Sequence, residues 1–126
     1  MASAIEFENV VFKYPNGSVA LDTINLKIEE HTKVALLGEN GSGKTTLLLH
    51  LNGLHTPTNG GVKILGRSVT RENVDWVRTK VGMIFQNPDD QLFAPTVFQD
   101  VAFGPRNLGM DEVRVAERVE EALDVL

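Results

Sequence analysis

Two stretches near the N-terminus, residues 5–12 and 21–28, alternate apolar and polar positions and are rich in β-branched side chains, which predicts two strands. The residues between them, Tyr14-Pro15-Asn16-Gly17-Ser18, are dense in turn formers, so the strands are expected to pair antiparallel. Residues 33–37 (Lys-Val-Ala-Leu-Leu) form a short apolar run ending at Gly38, the pattern of a strand buried on both faces. A glycine-rich loop follows, and from Gly43 the sequence turns to good helix formers, Lys-Thr-Thr-Leu-Leu-Leu-His-Leu, stopping near Asn52-Gly53. The order is strand, loop, helix.

Further along, residues 62–65 predict a short strand and residues 71–80 a helical turn or two carrying Trp76. Residues 81–85 (Val-Gly-Met-Ile-Phe) read as another short buried strand. Residues 86–95 hold two prolines and two aspartates and are expected to be loop. Thr96 and Asp111 are placed to cap the two helices that follow. In the last one, Val115, Val119, Ala122 and Leu126 recur at helical spacing opposite the charges, an amphipathic surface helix. No internal repeat or low-complexity tract interrupts this order.

Composition changes the picture in three ways. At 126 residues the chain is about one domain, and 42% apolar with 23% charged residues is ordinary for a globular protein. The absence of cysteine removes disulfides, thiolate metal sites and thiol nucleophiles. The net charge of −5 gives no overall basic footprint for nucleic acid, yet six acids against two arginines place −4 of it in residues 111–126, leaving the rest nearly neutral. No apolar run is long enough to span a bilayer, and the first residues lack the features of a signal peptide.

The chemistry lies in Gly38-Glu39-Asn40-Gly41-Ser42-Gly43-Lys44-Thr45, which fits the phosphate-binding pattern Gly-x4-Gly-Lys-Ser/Thr between a predicted strand and a predicted helix. Glycines let successive backbone N–H groups turn inward, making a concave nest for phosphate oxygens. Lys44 supplies a mobile positive charge to the β and γ phosphates, and the Thr45 hydroxyl suits the accompanying magnesium. Tyr14, in the turn ahead of the loop, offers an aromatic face to a nucleobase, although core or surface is the simpler reading of one tyrosine. Gln86 opens the proline-rich loop with a neutral amide that suits magnesium or a bound water. Asp89 and Asp90 are most simply solvated, Trp76 and the phenylalanines most simply core or interface, and the two Asn-Gly-Ser triplets a turn and the phosphate loop.

Together these residues resemble the ATP-binding subunits of ABC transporters, which carry an aromatic A-loop, a Walker A loop and a Q-loop in this order, here Tyr14, residues 38–45 and Gln86. The run Gln86-Asn87-Pro88-Asp89-Asp90-Gln91-Leu92-Phe93-Ala94-Pro95-Thr96-Val97 and Asp100-Val101-Ala102-Phe103-Gly104-Pro105 resembles the cobalt/nickel and energy-coupling factor (ECF) vitamin importers. So do Phe12-Lys13-Tyr14-Pro15 and Asn107-Leu108-Gly109. The resemblance implies an α/β fold: the P-loop NTPase core of an ABC ATPase, incomplete, with an N-terminal antiparallel β subdomain. It implies ATP and Mg2+ as ligands, with Gly38, Asn40, Gly41, Ser42, Gly43, Lys44, Thr45 and Thr46 holding phosphates and magnesium, Tyr14 the adenine, and Gln86 sensing magnesium and the γ-phosphate. It further implies a second ATP-binding subunit, identical or related, a transmembrane coupling subunit, a substrate-binding membrane component, and a place on the cytoplasmic face of the membrane. Phe93 and Phe98 are candidates for the surface that receives a coupling helix.

Two departures matter. Phe98-Gln99 stand where that branch usually has acids, and the chain holds no Leu-Ser-Gly-Gly-Gln signature, no Walker B strand ending in Asp-Glu and no switch histidine, since His31, His50 and His55 lie too early. Residues 1–126 are therefore expected to be one partial nucleotide-binding domain, the N-terminal half of a subunit about twice as long, binding ATP without turning it over. The resemblance implies that the missing segments supply strands beside the Walker A strand and the Q-loop strand, which predicts a truncated chain that is marginal or self-associating alone. A non-catalytic nucleotide-binding or interaction module is the alternative. A small-molecule kinase or a GTPase would want an acceptor site or Asn-Lys-x-Asp, and neither is visible.

Overall fold

The computed structural model describes residues 2–126, which form two compact units, the first ending at Met83 and the second spanning Ile84–Leu126. In the first, β1 (Ser3–Lys13) and β2 (Val19–Glu29) pair antiparallel as the alternation predicts, and Tyr14 N–H donates to Ser18 O at 2.9 Å to close the turn between them. On its other edge β1 pairs antiparallel with β3 (Asn59–Ile64), which pairs with the two-residue β4 (Arg67–Ser68), giving the order β2-β1-β3-β4. Phe7 faces Leu26 across one ladder and Val62 across the other; Phe7, Val62, Val10, Phe12 and Leu21 form the buried core, with Leu26 packed against it.

The β1–β2 register breaks between Phe7 and Val10, where Asn9 sits at φ 50° and exchanges hydrogen bonds with the Asn25 side chain. Gly60 at φ +78° lies directly over this bulge, where a Cβ would run into the carbonyls of Glu8 and Asn9. Helix α1 (Lys44–Leu49) is only six residues long. Isolated helices below about 12 residues are marginal in water, so α1 depends on packing: Leu47 and nearby Leu51 rest on the sheet core. Helix α2 (Val74–Lys80) buries Val77 and carries Trp76, over whose ring the Arg67 guanidinium lies at 4.3 Å.

Two expected strands are absent. Residues 33–37 belong to no ladder, and Val34, Leu36 and Leu37 are exposed, Leu37 by 88%. Residues 81–85 likewise form no strand, with Ile84 93% exposed. An apolar run states a demand for burial on two faces, but among the described residues no further strand or second layer meets that demand.

In the second unit, Asn87 caps a 3-10 turn at Pro88–Asp90 by accepting from Asp89 N–H. Thr96 Oγ1 accepts from Gln99 N–H at the start of α3 (Val97–Asn107), and Asp111 Oδ1 from Arg114 N–H at the start of α4 (Glu112–Asp124), as the sequence predicts. Ala102, Val115 and Val119 form the small core between these helices, and Arg106 grips Glu112 through two 3.0 Å bonds. The expected stripe on α4 is only half buried: Ala122 and Leu126 are exposed because neither lies in the contact with α3.

Candidate functional site

The loop at residues 38–43 is shaped by glycine where side chains would not fit. Gly41 and Gly43 hold φ of +81° and +98°, and a Cβ on Gly43 would stand 2.7 Å from Ala20 O, so β2 abuts the loop at the point where α1 begins. A Cβ on Gly38 would stand 2.7 Å from Ser42 Oγ, and Ser42 N–H donates to Glu39 O at 3.2 Å, folding the loop upon itself. Leu47 N–H to Gly43 O, 2.9 Å, opens the helix. The Lys44 ammonium curls back over this turn, donating to Gly38 O and Glu39 O, both at 2.6 Å, and to Ser42 Oγ at 3.3 Å. The loop thus holds its own cation over its concave side by three oxygen acceptors, a position from which phosphate oxygens can compete for it.

The next residues divide their tasks. Thr45 is exposed at the first turn of α1, its hydroxyl open to a ligand, whereas Thr46 is buried and its Oγ1 is 2.7 Å from the Tyr14 hydroxyl. Tyr14 therefore meets the helix through its oxygen, while its ring stands edge-on to Phe12 at 5.0 Å and 82°. The structure brings Tyr14, Gly38, Asn40, Gly41, Ser42, Gly43, Lys44, Thr45 and Thr46 together in the first unit, around the start of α1. Gln86 lies in the second unit, exposed at the head of its loop, next to Phe85, whose N–H donates to Gln91 Oε1 at 2.9 Å.

Among the described residues no group of three His, Cys, Asp or Glu is placed to hold a metal ion. The Thr45 oxygen is neutral and alone makes no octahedral cage, but Mg2+ is usually held by one or two protein groups with water and phosphate oxygens, and an exposed threonine hydroxyl beside a glycine-rich loop fits that manner.

One residue escaped the sequence reading. His50, at the C-terminal end of α1 and 1% exposed, places Nδ1 2.7 Å from Thr46 O, which makes Nδ1–H the donor and leaves Nε2 a bare acceptor with no partner. Burial pushes its pKa below the ordinary 6.5, the Thr46 bond opposes this, and neighbouring His55 adds to the lowering. Thr46 is consequently fixed twice, by Tyr14 at its side chain and by His50 at its carbonyl. The only signal in the sequence is the four-residue spacing from Thr46 to His50, one helical turn.

A glycine-rich loop that opens a helix is the arrangement by which P-loop proteins bind phosphate. The family profile described as ABC transporter matches residues 21–126, and the chain belongs to that family. It is 55% identical over 123 residues to the energy-coupling factor transporter ATP-binding protein EcfA of Carboxydothermus hydrogenoformans, covering 98% of this chain and 46% of that one. To EcfA of Methanosphaera stadtmanae it is 49% identical, covering 98% and 45%. The chain spans about half the length of the curated relatives it matches. Among solved structures it resembles cbiO1 from Clostridium perfringens, described as part of the ABC transporter complex cbiONQ, with a TM-score of 0.85 and 34% identity over 98% of this chain and 50% of that one. A bacterial Atm1-family ABC exporter with ATP bound matches with a TM-score of 0.72 at 27% identity, over 82% of this chain and 18% of that one.

Proposed function

We propose that the chain is the nucleotide-binding part of the ATP-driving subunit of an ECF-type importer, its two units belonging to one incomplete ABC nucleotide-binding domain. The observation that carries this is the loop at residues 38–43 holding the Lys44 ammonium on its own carbonyls. In the proposed site the backbone of Gly38, Asn40, Gly41, Ser42 and Gly43 cradles the phosphates of ATP. Lys44 leaves the loop carbonyls for the β and γ phosphates, and Thr45 and Thr46 close the first turn around them. Thr45 is assigned to Mg2+, which supplies charge neutralisation across the phosphates when bound. Tyr14 is assigned to the adenine side, anchored by Thr46.

The identity to energy-coupling factor transporter ATP-binding proteins supports the importer class, and the resemblance to the cobalt/nickel and ECF vitamin importers implies uptake of a metal ion or vitamin as the process driven. In this reading a second ATP-binding subunit completes each site, a transmembrane coupling subunit receives the motion near Phe93 and Phe98, and the assembly works at the cytoplasmic face of the membrane. Within the chain itself, no helix among the described residues is long and apolar enough to cross a membrane. The 126 residues contain neither signature nor Walker B sequence, so ATP binding without hydrolysis is expected of them. Equilibrium binding of Mg-ATP should be weakened at least about tenfold by Lys44→Ala, the loss of a charge-assisted contact, with no phosphate release in either sample. Equal binding by both proteins would refute the assignment.

A further inference from the structure

The first unit holds a cavity of about 430 Å3 that the phosphate loop does not line. It opens at the opposite end of α1, between the segment following that helix and the start of α2, a volume within the range of small-molecule sites. Its polar lining is cationic and hydroxylic: Arg71 and Arg78, with Thr56 and Thr70, and no carboxylate among the lining residues. Val62, Val69 and Val74 are among its apolar lining residues.

The arginines stand out in a chain of net charge −5. Among the described residues neither forms an ion pair with a carboxylate, and the field of Arg71 is the least of the influences holding the adjacent Glu72 low. Arg78 is held by its Nε–H bond to Asn52 O at 3.2 Å. The cavity wall also contains His50, whose buried Nε2 lacks a partner, beside His55 at a ring separation of 5.6 Å. Two guanidinium groups that make no ion pair among the described residues, the Thr56 hydroxyl and apolar lining residues are the complement of a small anion with an apolar body.

We propose that this cavity is a second ligand site, distinct from the phosphate loop, that binds a small organic phosphate or carboxylate through Arg71 and Arg78 with its apolar part against Val62 and Val69. Its position at the far end of α1 means that such a ligand sits one wall from His50, which holds Thr46. None of residues 38–46 lines the cavity, so a ligand there leaves the loop free to be occupied as well.

The test uses inorganic phosphate and phenyl phosphate as probes, titrated at constant ionic strength into the full chain while the ring resonances of His55 are followed by NMR. The expected result is a saturable shift reached at a concentration at least about tenfold lower for phenyl phosphate, weakened at least about tenfold for both probes by Arg71→Gln, and retained in Lys44→Ala. Arg71 is exposed, so Arg71→Lys, keeping charge and losing the two-pronged donor, serves as a second variant and should fall between Gln and the native residue. A response abolished by Lys44→Ala would place the anion in the phosphate loop and overturn the proposal. So would an unresponsive His55, or an unchanged midpoint in both Arg71 variants.

Discussion

At the scale of single residues, His50 connects stability to pH. Its folded pKa lies below 6.5, so between that folded value and 6.5 the unfolded chain binds more protons and stability rises with pH. The penalty is complete below the folded pKa and absent well above 6.5. The thermal midpoint of the first unit should therefore fall from pH 8 to pH 5, and His50→Gln, which can still donate to Thr46 O but does not titrate, should flatten that slope. An equal slope in both proteins would show that other groups carry it. The turn at residues 38–43 was legible from sequence because its backbone takes conformations that only glycine supplies without strain, φ of +81° and +98°. The role of Tyr14 was less legible: a sequence shows an aromatic ring, whereas the 2.7 Å link of its hydroxyl to Thr46 depends on how β1 and α1 pack.

Among the elements, those with local causes were readable. Alternation fixed β1 and β2, and the oxygen side chains of Thr96 and Asp111 announced the starts of α3 and α4. Elements whose existence depends on a distant partner were not, as the unpaired residues 33–37 and the exposed Ala122 show. The second unit has only three fully buried side chains, so its helix caps weigh heavily. Asp111→Ala should cost about 1 kcal/mol and lower the melting midpoint of the second unit in far-ultraviolet circular dichroism. A midpoint unchanged in the variant would mean that the Arg106–Glu112 bridge alone holds the start of α4.

For the whole molecule, Val34, Leu36, Leu37 and Ile84 are apolar groups in segments whose backbone has no ladder. Such segments offer both side chains and backbone groups to other chains. Sedimentation of the isolated chain should show mass rising with concentration, and Leu37→Lys should reduce that rise without loss of the β1–β2 signal. A concentration-independent monomer with a sharp melting transition would contradict this.

The division at Met83 has an optical consequence. Tyr14 and Trp76, the single tyrosine and the single tryptophan, both lie in the first unit, with Trp76 beneath the Arg67 guanidinium. Emission from the chain is blind to α3 and α4, while ellipticity at 222 nm (about the helical minimum) sees all the helices. If the two units melt separately, fluorescence will report one transition and dichroism two, and any single melting temperature assigned by emission will describe the sheet that holds the phosphate loop and nothing beyond it.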